Sequence, residues 1–354
     1  MQLDFHHAAT YVVARLGGLG APEAATVAYA SQYVDDATNE GVIQFTNGAR
    51  YERICSAHKM LDYRNFAALA NSRVWVPFHF LPGNGGLPAD QSPPGRFVYK
   101  LICRPDSPVA RDMLRACHQA RHKPYALHRL GITLHVFVDT WAHQGFVGIN
   151  HEANDAEDVH DEHGQVDLAF FEKIKSYFVG EAWPLGHGAV LSKPDLPYLI
   201  WGYRDGLGQK VLRDNPSDYM TAIRRMHAEV QRYCAGDPDL DTQPLRPQDA
   251  RALEGLIREV RDPDERVRHQ RWLKAIADGA FSFGAEQVDY VAKGVGSWKH
   301  RALGTAAEKD DEDATYVFSD GFLSSDWKRF HDALQMHRLE VIGDILPRYG
   351  ICMF

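Results

Sequence analysis

Histidine and aspartate recur at helical spacing in one strongly apolar segment, HRLGITLHVFVDTWAHQGFVG, which covers residues 128–148. His135 and Asp139 are four residues apart, so an α-helix places both side chains on the same face. A buried aspartate is costly unless a cation or hydrogen bonds compensate its charge. We predict that this pair binds a metal ion; a buried His–Asp hydrogen bond without metal is the alternative.

Two further histidines extend this face of the predicted helix. At about 1.5 Å per residue, His143 lies about 12 Å along the axis from His135, which is too far for one ion and suits two neighbouring ions. His143 is therefore a predicted ligand of a second metal. His128 lies seven residues before His135 on nearly the same face, and we place it with Trp141 among the candidate substrate-binding residues. Core packing is the alternative role for both.

The amino-terminal third of the sequence adds four candidate residues. LDFHH contains His6 and His7, which point about 100° apart on a helix, so we expect only one of them to join the site. AYASQYVDDATNEG ends in Asp35 and Asp36, whose charges oppose the helix dipole and would be relieved by a nearby cation. We predict one of these carboxylates as a bridging ligand or as the general base of a catalytic step. A solvated helix end is the alternative.

Other histidines lie in segments of different character. His58, in SAHKMLDYRNF, precedes Asp62 by four residues and is either a ligand or a surface residue. His79, in PFHFLP, is a candidate substrate-binding residue or a core histidine. His187 lies between two glycines, whose free backbone permits close approach to a ligand. Asp195 follows in a proline-framed turn, and we predict both His187 and Asp195 as metal ligands.

The elements that position these residues are predicted to be mainly helices. RVWVPFHFLP and RFVYKLICRP alternate enough to form a short β-hairpin around the loop 82–96. The acidic stretch 150–165 and the charge run 304–315 are predicted loops. We therefore predict a mainly α multi-helix bundle, with helices at about 3–16, 22–37, 46–70, 107–121, 124–143, 166–180, 216–234, 247–260, 263–279, 284–293 and 324–346.

Length and composition narrow the class of protein. The chain has 354 residues and a formal net charge of −8. This length suffices for a metal-binding helical core at 1–205 and a helical C-terminal region at 206–354 packed on it as one unit. The acidic balance argues against a generic nucleic-acid-binding surface.

The expected compartment is the cytoplasm, and the expected partner is a small-molecule substrate; the oligomeric state is left open. No apolar run approaches the roughly 20 residues that span a bilayer, so we expect no transmembrane segment. The five cysteines include no CxxC pair and fit a reducing compartment. The G-x-S-x-G elbow, the phosphate-binding loop and the Rossmann glycine motif are absent, so metal chemistry is the strongest candidate.

The order of the candidate ligands resembles that of zinc-dependent phospholipase C and the single-strand-specific zinc nucleases, over roughly residues 1–200. The resemblance implies an all-α fold with three zinc ions in a cleft and hydrolysis of phosphoesters by a metal-activated water. The whole chain is also similar to an uncharacterised bacterial family, which supplies no activity. In this numbering the implied ligands are His6 or His7, Asp35 or Asp36, His58, His135, Asp139, His143 and His187.

Three features separate this sequence from those enzymes. Their N-terminal amino group is itself a ligand, whereas five residues precede His6 here. Their next histidine follows the helical aspartate by six residues, whereas His143 follows Asp139 by four. Their Gly-His is followed four residues later by a carboxylate, whereas position 191 is leucine, and Asp195 is the predicted substitute.

Zinc is the expected metal, with two or three ions, because the resemblance favours it. Imidazole and carboxylate ligands also suit iron or manganese. We predict a hydrolase that acts on a phosphoester or a related ester. The alternatives are a non-haem di-iron type oxidoreductase and a non-catalytic protein with a structural metal site.

Overall fold

The computed structural model describes residues 1–58, 68–166, 185–309 and 314–352. About 52% of the described residues are helical and about 10% lie in strands, most of them in two small sheets. The predicted mainly α bundle of the phospholipase C type is therefore wrong, and the fold is a mixture of helices and sheets. Among the described helices, none combines the length and apolar character needed to cross a membrane.

The amino-terminal segment forms a π-helical stretch, Asp4–Ala9, that continues into α1 (Thr10–Leu16). The buried Arg268 guanidinium donates to both oxygens of the buried Asp4 carboxylate, at 2.8 and 3.1 Å. This ion pair fixes the first residues of the chain against a helix that comes much later in the sequence. Next comes α2 (Ala21–Asp36), which begins after Gly20 and has a proline in its first turn.

The remaining helices follow most of the predicted ranges. Two predictions are wrong: residues 46–58 of the helix predicted at 46–70 are not helical, and no helix forms at 284–293. The predicted helix at 166–180 lies, apart from its first residue, outside the described residues, as do residues 59–67 with Asp62. The helices are α3 (Ala68–Phe78), α4 (Val98–Leu101), α5 (Pro108–Gln119), α6 (Ala126–Ala142), α7 (Asn215–Ala235), α8 (Pro247–Glu259), α9 (Glu265–Ala277), α10 (Trp298–Leu303), α11 (Asp326–Glu340) and α12 (Leu346–Arg348), the last preceded by a π-helical segment, Val341–Ile345.

Each of the two sheets has three strands. In the first, β1 (Gly41–Phe45) pairs antiparallel with β2 (Arg50–Arg53) and parallel with a two-residue strand, Thr315–Tyr316. In the second, β3 (Ala156–Asp161), β4 (Ile200–Asp205) and β5 (Lys210–Asp214) are antiparallel in that order. Thr315–Tyr316 is β6. All six described strands lie outside the hairpin predicted around 82–96, and β3 lies within the loop predicted at 150–165.

The predicted hairpin around 82–96 fails because its first arm is buried on both sides. Residues 74 and 76–80 are all buried, so the alternation of apolar types carries no period-2 signal there. The first arm lies mostly in α3, and the second contains α4. Only a single bridge, between Pro82 and Cys103, joins the two arms in the described residues.

Helix α6 is the centre of the fold, packed against α2, α5, α7 and α11. Helices on both sides of residue 205 share one hydrophobic cluster, and β4 and β5 pair across that boundary. The division into 1–205 and 206–354 stays a prediction. Helices α2 and α6 pack closely at Gly131, where a Cβ would overlap the Val27 carbonyl oxygen and lie 2.7 Å from the Ala30 Cβ.

We expect Gly131→Ala to lower the free energy of unfolding by about 1–3 kcal/mol, because the added methyl group forces α2 and α6 apart. Gly255→Ala is the matched control, since its Cβ would meet only a Glu259 carboxylate oxygen at 4.0 Å. That control should stabilise α8 by up to about 1 kcal/mol through helix propensity. Chemical denaturation measures both changes, and equal stabilisation of both variants would contradict the close packing.

Candidate metal centre

Asp139, near the end of α6, is the centre of a cluster of histidines. It is buried, with 1% of its surface exposed. Its Oδ1 lies 3.1 Å from His6 Nε2, and its Oδ2 lies 3.2 Å from His135 Nε2. The same Oδ2 lies 3.5 Å from His79 Nδ1 and 3.6 Å from His143 Nδ1. One carboxylate therefore lies within 3.6 Å of a nitrogen atom of each of four imidazoles. These imidazoles come from the π-helical segment, from α6 and from the residues that follow α3 and α6.

The first group consists of His79, His135 and Asp139, and their donor atoms lie within 4.8 Å of one another. His135 Nδ1–H donates to the Ser31 carbonyl at 2.8 Å, and His79 Nε2–H donates to the Ser56 carbonyl at 2.9 Å. These bonds fix both tautomers, because a carbonyl can only accept. The other ring nitrogens, His135 Nε2 and His79 Nδ1, then face each other as lone pairs at 3.2 Å. Such a contact is repulsive unless a cation lies near both nitrogens or one ring takes up a second proton.

The second group contains His6, Asp35 and His135. The His6 ring stacks on His135 with centroids 3.8 Å apart, and neither His6 nitrogen has a hydrogen-bond partner among the described residues. Asp35 Oδ1 lies 3.8 Å from both His79 Nδ1 and His135 Nε2. Its side chain is 32% exposed, so this edge of the cluster is open to solvent.

The third group combines His143, His187 and Asp195. His143 Nδ1–H donates to the His79 carbonyl at 2.7 Å, and His187 Nδ1–H donates to the Leu191 carbonyl at 2.6 Å. The two Nε2 lone pairs are thereby directed at Asp195, at 3.9 Å from Oδ1 and 3.6 Å from Oδ2. These three donors could hold the second ion that the His135–His143 spacing predicts.

The amino nitrogen of Met1 lies between the groups, at 2.7 Å from Asp139 Oδ1 and 3.2 Å from Asp195 Oδ1. Burial lowers the pKa of this amine, but Asp139 and Asp195 outweigh it and raise the pKa to about 11. The five residues before His6 thus lead back to the cluster instead of away from it.

The pKa values of the carboxylates are shifted in opposite directions. Burial raises the pKa of Asp139, but His143, the Met1 amine, His135 and His6 outweigh it and hold the pKa well below its usual range. Desolvation and the charge of Asp139 raise the pKa of Asp35, an effect that its exposed third moderates. The interior carboxylate is thus ionised while the one at the rim is the more easily protonated.

Several predicted residues lie outside these three groups. His7 Nδ1 pairs with His269 Nε2 at 2.9 Å, and Asp36 Oδ2 accepts from the Tyr290 hydroxyl at 2.6 Å. His128 Nε2 lies 3.0 Å from Asp326 Oδ1, and Trp141 packs edge-on against Phe137 in the core. His58 Nε2 lies 3.6 Å from Cys55 Sγ.

His79 is the donor that sequence reasoning placed in a different role, as a substrate-binding residue. The sequence predicts His58 as a ligand because it repeats the His-x3-Asp spacing. The available signal to the contrary is local composition: His79 lies in the almost wholly apolar VWVPFHFLP, whereas His58 is followed by the polar KMLDYRNF. In the structure both side chains are buried. An imidazole in an apolar segment needs a partner more than one beside charged residues does.

Comparison with known proteins identifies a family but no activity. Residues 1–345 match DUF6765, described as a family of unknown function, and the chain belongs to this family. No curated protein and no solved structure matches the chain. The function is therefore argued from the geometry of the three groups.

We expect the metal-free protein to lose stability as the pH falls from about 6.5 to about 5. Mainly through burial, the pKa of His135 is lowered to about 4 and that of His143 to about 3. In the unfolded chain both rings have a pKa near 6.5, so below that pH the unfolded state binds more protons than the folded state. Each ring should lower the free energy of unfolding by about 1 kcal/mol per pH unit in this window.

Chemical denaturation at pH 7, 6 and 5 in the presence of a chelator measures this slope. His143→Gln should flatten the slope, because glutamine takes up no proton. His163→Gln is the control, since the His163 side chain is 73% exposed. Equal slopes for the parent and His143→Gln would show that the His143 ring does not resist protonation in the folded state.

Proposed function

We propose that the chain is a zinc-dependent hydrolase that acts on a phosphoester or a related ester. The observation that carries the proposal is the pair of imidazole lone pairs, His79 Nδ1 and His135 Nε2, 3.2 Å apart beside a buried carboxylate. Their other nitrogens are held by backbone carbonyls, as is usual for metal-bound histidine. Nitrogen and oxygen donors without thiolate suit zinc, iron or manganese, and the resemblance to zinc-dependent phospholipase C favours zinc.

Two or three ions fit the donor sets. His79, His135, Asp139 and Asp35 would hold one ion, and His143, His187 and Asp195 another. His6 Nε2, which lies beside Asp139 Oδ1, would contribute to a third, and the Met1 amine could do so only after losing its proton. When bound, zinc would lower the pKa of a water and polarise the ester. The chain's own residues orient the donors and bury all of them except Asp35 and His187.

Asp35 is the carboxylate we assign to proton transfer or bridging, in preference to Asp36. Its Oδ1 faces the imidazoles of the first group, and a third of its side chain is exposed at the open edge. Asp36 Oδ2 instead accepts from the Tyr290 hydroxyl at 2.6 Å, while Gln32 Nε2 lies 3.2 Å from Asp36 Oδ2 and 3.4 Å from Asp35 Oδ2. Of the two aspartates, Asp35 is therefore the one that faces both the donors and the open edge.

The open edge also favours catalysis over a structural metal. A structural site has closed coordination, whereas a catalytic site keeps an exchangeable position. Asp35 and His187 keep 32% and 20% of their side chains exposed, so two donors of the cluster reach solvent. The di-iron alternative is disfavoured because helical di-iron sites draw on several glutamates, and the three groups in the described residues contain none.

We expect two or three zinc ions per untagged chain by mass spectrometry of the metal content. His79→Ala and Asp139→Asn should each remove at least one ion and lower the melting temperature, because metal binding stabilises the folded state. His58→Ala is the control and should keep the full metal content. Loss of metal in His58→Ala but not in His79→Ala would show that the sequence order, and not the geometry, identifies the ligand.

We expect zinc-loaded protein to hydrolyse at least one class among phosphodiesters, phosphomonoesters and carboxylic esters, and a chelator to abolish the activity. Asp35→Asn should lower kcat by about a hundredfold or more, whereas Asp36→Asn should change kcat less than tenfold. Steady-state kinetics on the best substrate provides the test. Tight metal binding with no hydrolysis of any of these esters would favour the structural metal site.

A further inference from the structure

The orientation of His187 depends on one hydrogen bond to an unusual residue. His187 Nδ1–H donates to the Leu191 carbonyl at 2.6 Å, which leaves Nε2 directed at Asp195 Oδ2, 3.6 Å away. Leu191 adopts φ 49° and ψ −131°. A positive φ is uncommon for any residue with a Cβ, and this combination is one that glycine adopts far more readily than leucine.

Packing holds Leu191 in this conformation. Its half-buried side chain lies against a cluster of aromatic and aliphatic residues: Phe80, Phe146, Val159, Val190, Trp201 and Tyr203. A strained backbone of this kind persists only where its surroundings fix it, and such residues concentrate at functional sites.

The segment that contains Leu191 is also fixed at both ends. At its start, a Cβ on Gly186 would overlap the Phe80 ring, so the chain lies directly on that ring. At its end, Asn215 Nδ2 donates to the carbonyls of Lys193 and Leu196, at 2.7 and 2.8 Å. His187 and Asp195 are thus brought together by a loop that packs tightly at one end and is hydrogen-bonded at the other, and the backbone of Leu191 completes the turn between them.

We propose that Leu191 is a positioning residue of the third group, because its strained backbone directs a carbonyl that selects the tautomer and orientation of His187. The inference rests on the proposed function, since the oriented Nε2 is a metal donor. It separates two roles at this site: position 191 orients the histidine, and Asp195 supplies the carboxylate. The backbone angle of residue 191, more than its side chain, determines whether this group binds its ion.

Leu191→Ala and Leu191→Gly distinguish the angle from the side chain. Alanine loses the packing and still disfavours a positive φ, so its backbone should relax and move the carbonyl away from His187. Glycine accepts the angle without strain. We expect Leu191→Ala to weaken zinc binding at one site about tenfold, the usual effect of removing a partner of a metal-bound histidine. Leu191→Gly should stay within about threefold of the parent.

Leu199→Ala is the matched control, because Leu199 packs against the same cluster without bonding a candidate ligand. It should leave every zinc affinity unchanged. Calorimetric titration of the metal-free full chain with zinc alone gives the affinities, and His187→Gln identifies the affected site. In metal-free protein, Leu191→Gly should melt about 2 °C or more above Leu191→Ala. Nitrogen NMR of labelled histidines should show Nδ1-protonated His187 in the parent and in Leu191→Gly, but not in Leu191→Ala.

Three outcomes separate this inference from the proposed function. Loss in Leu191→Ala with recovery in Leu191→Gly supports the inference. Normal zinc binding and His187 signals in Leu191→Ala, or weaker zinc binding in Leu191→Gly than in Leu191→Ala, overturn it and leave the hydrolase proposal intact. A parent that binds no zinc overturns the hydrolase proposal, while a His187 tautomer that changes in Leu191→Ala and returns in Leu191→Gly still supports the positioning role.

Discussion

The ionised Asp139 carboxylate, buried within an apolar helix, is the constraint on which the rest of the structure depends. An unpaired carboxylate at 1% exposure would be prohibitively costly. The fold therefore brings His6, His79, His135 and His143 to it from three separate segments. The ion pair between Asp4 and Arg268 contributes indirectly, because it fixes the segment that carries His6. A helix far along the chain thereby supports the donor geometry.

Backbone carbonyls determine how the donors face one another. The carbonyls of Ser31, Ser56, His79 and Leu191 each accept one ring N–H, so four histidines present their other nitrogen as a lone pair. Two of these carbonyls depend on tertiary packing in a direct way. Ser31 approaches His135 because α2 lies close to α6 at Gly131. Leu191 faces His187 because packing holds its backbone in a strained conformation.

The C-terminal part of the chain contributes support more than donors. In the described residues after Asp195, none belongs to the three groups. Asn215 donates to a backbone carbonyl of the loop that contains Asp195, and the Tyr290 hydroxyl donates to Asp36 Oδ2. These contacts distinguish the adjacent aspartates: Asp35 Oδ1 faces the imidazoles, while Asp36 Oδ2 accepts from the Tyr290 hydroxyl. The candidate metal centre therefore depends on residues well beyond the segment that carries its donors.

Local patterns in the sequence predicted individual helices. The predicted ranges 22–37, 107–121, 124–143, 216–234, 247–260 and 263–279 match α2, α5, α6, α7, α8 and α9, and the spacing in α6 predicted that His135 and Asp139 share a face. Which distant residues complete the candidate centre depends on how the helices pack. The groups contain His79, His6 and Asp35, and not the alternatives His58, His7 and Asp36. The sequence does not reveal this choice, because residues that packing brings together from distant segments have no characteristic spacing in the chain. The two sheets escaped prediction for a different reason: strands of two to six residues have little periodic signal, even where they pair with the next strand in the sequence, as β1 does with β2 and β4 with β5.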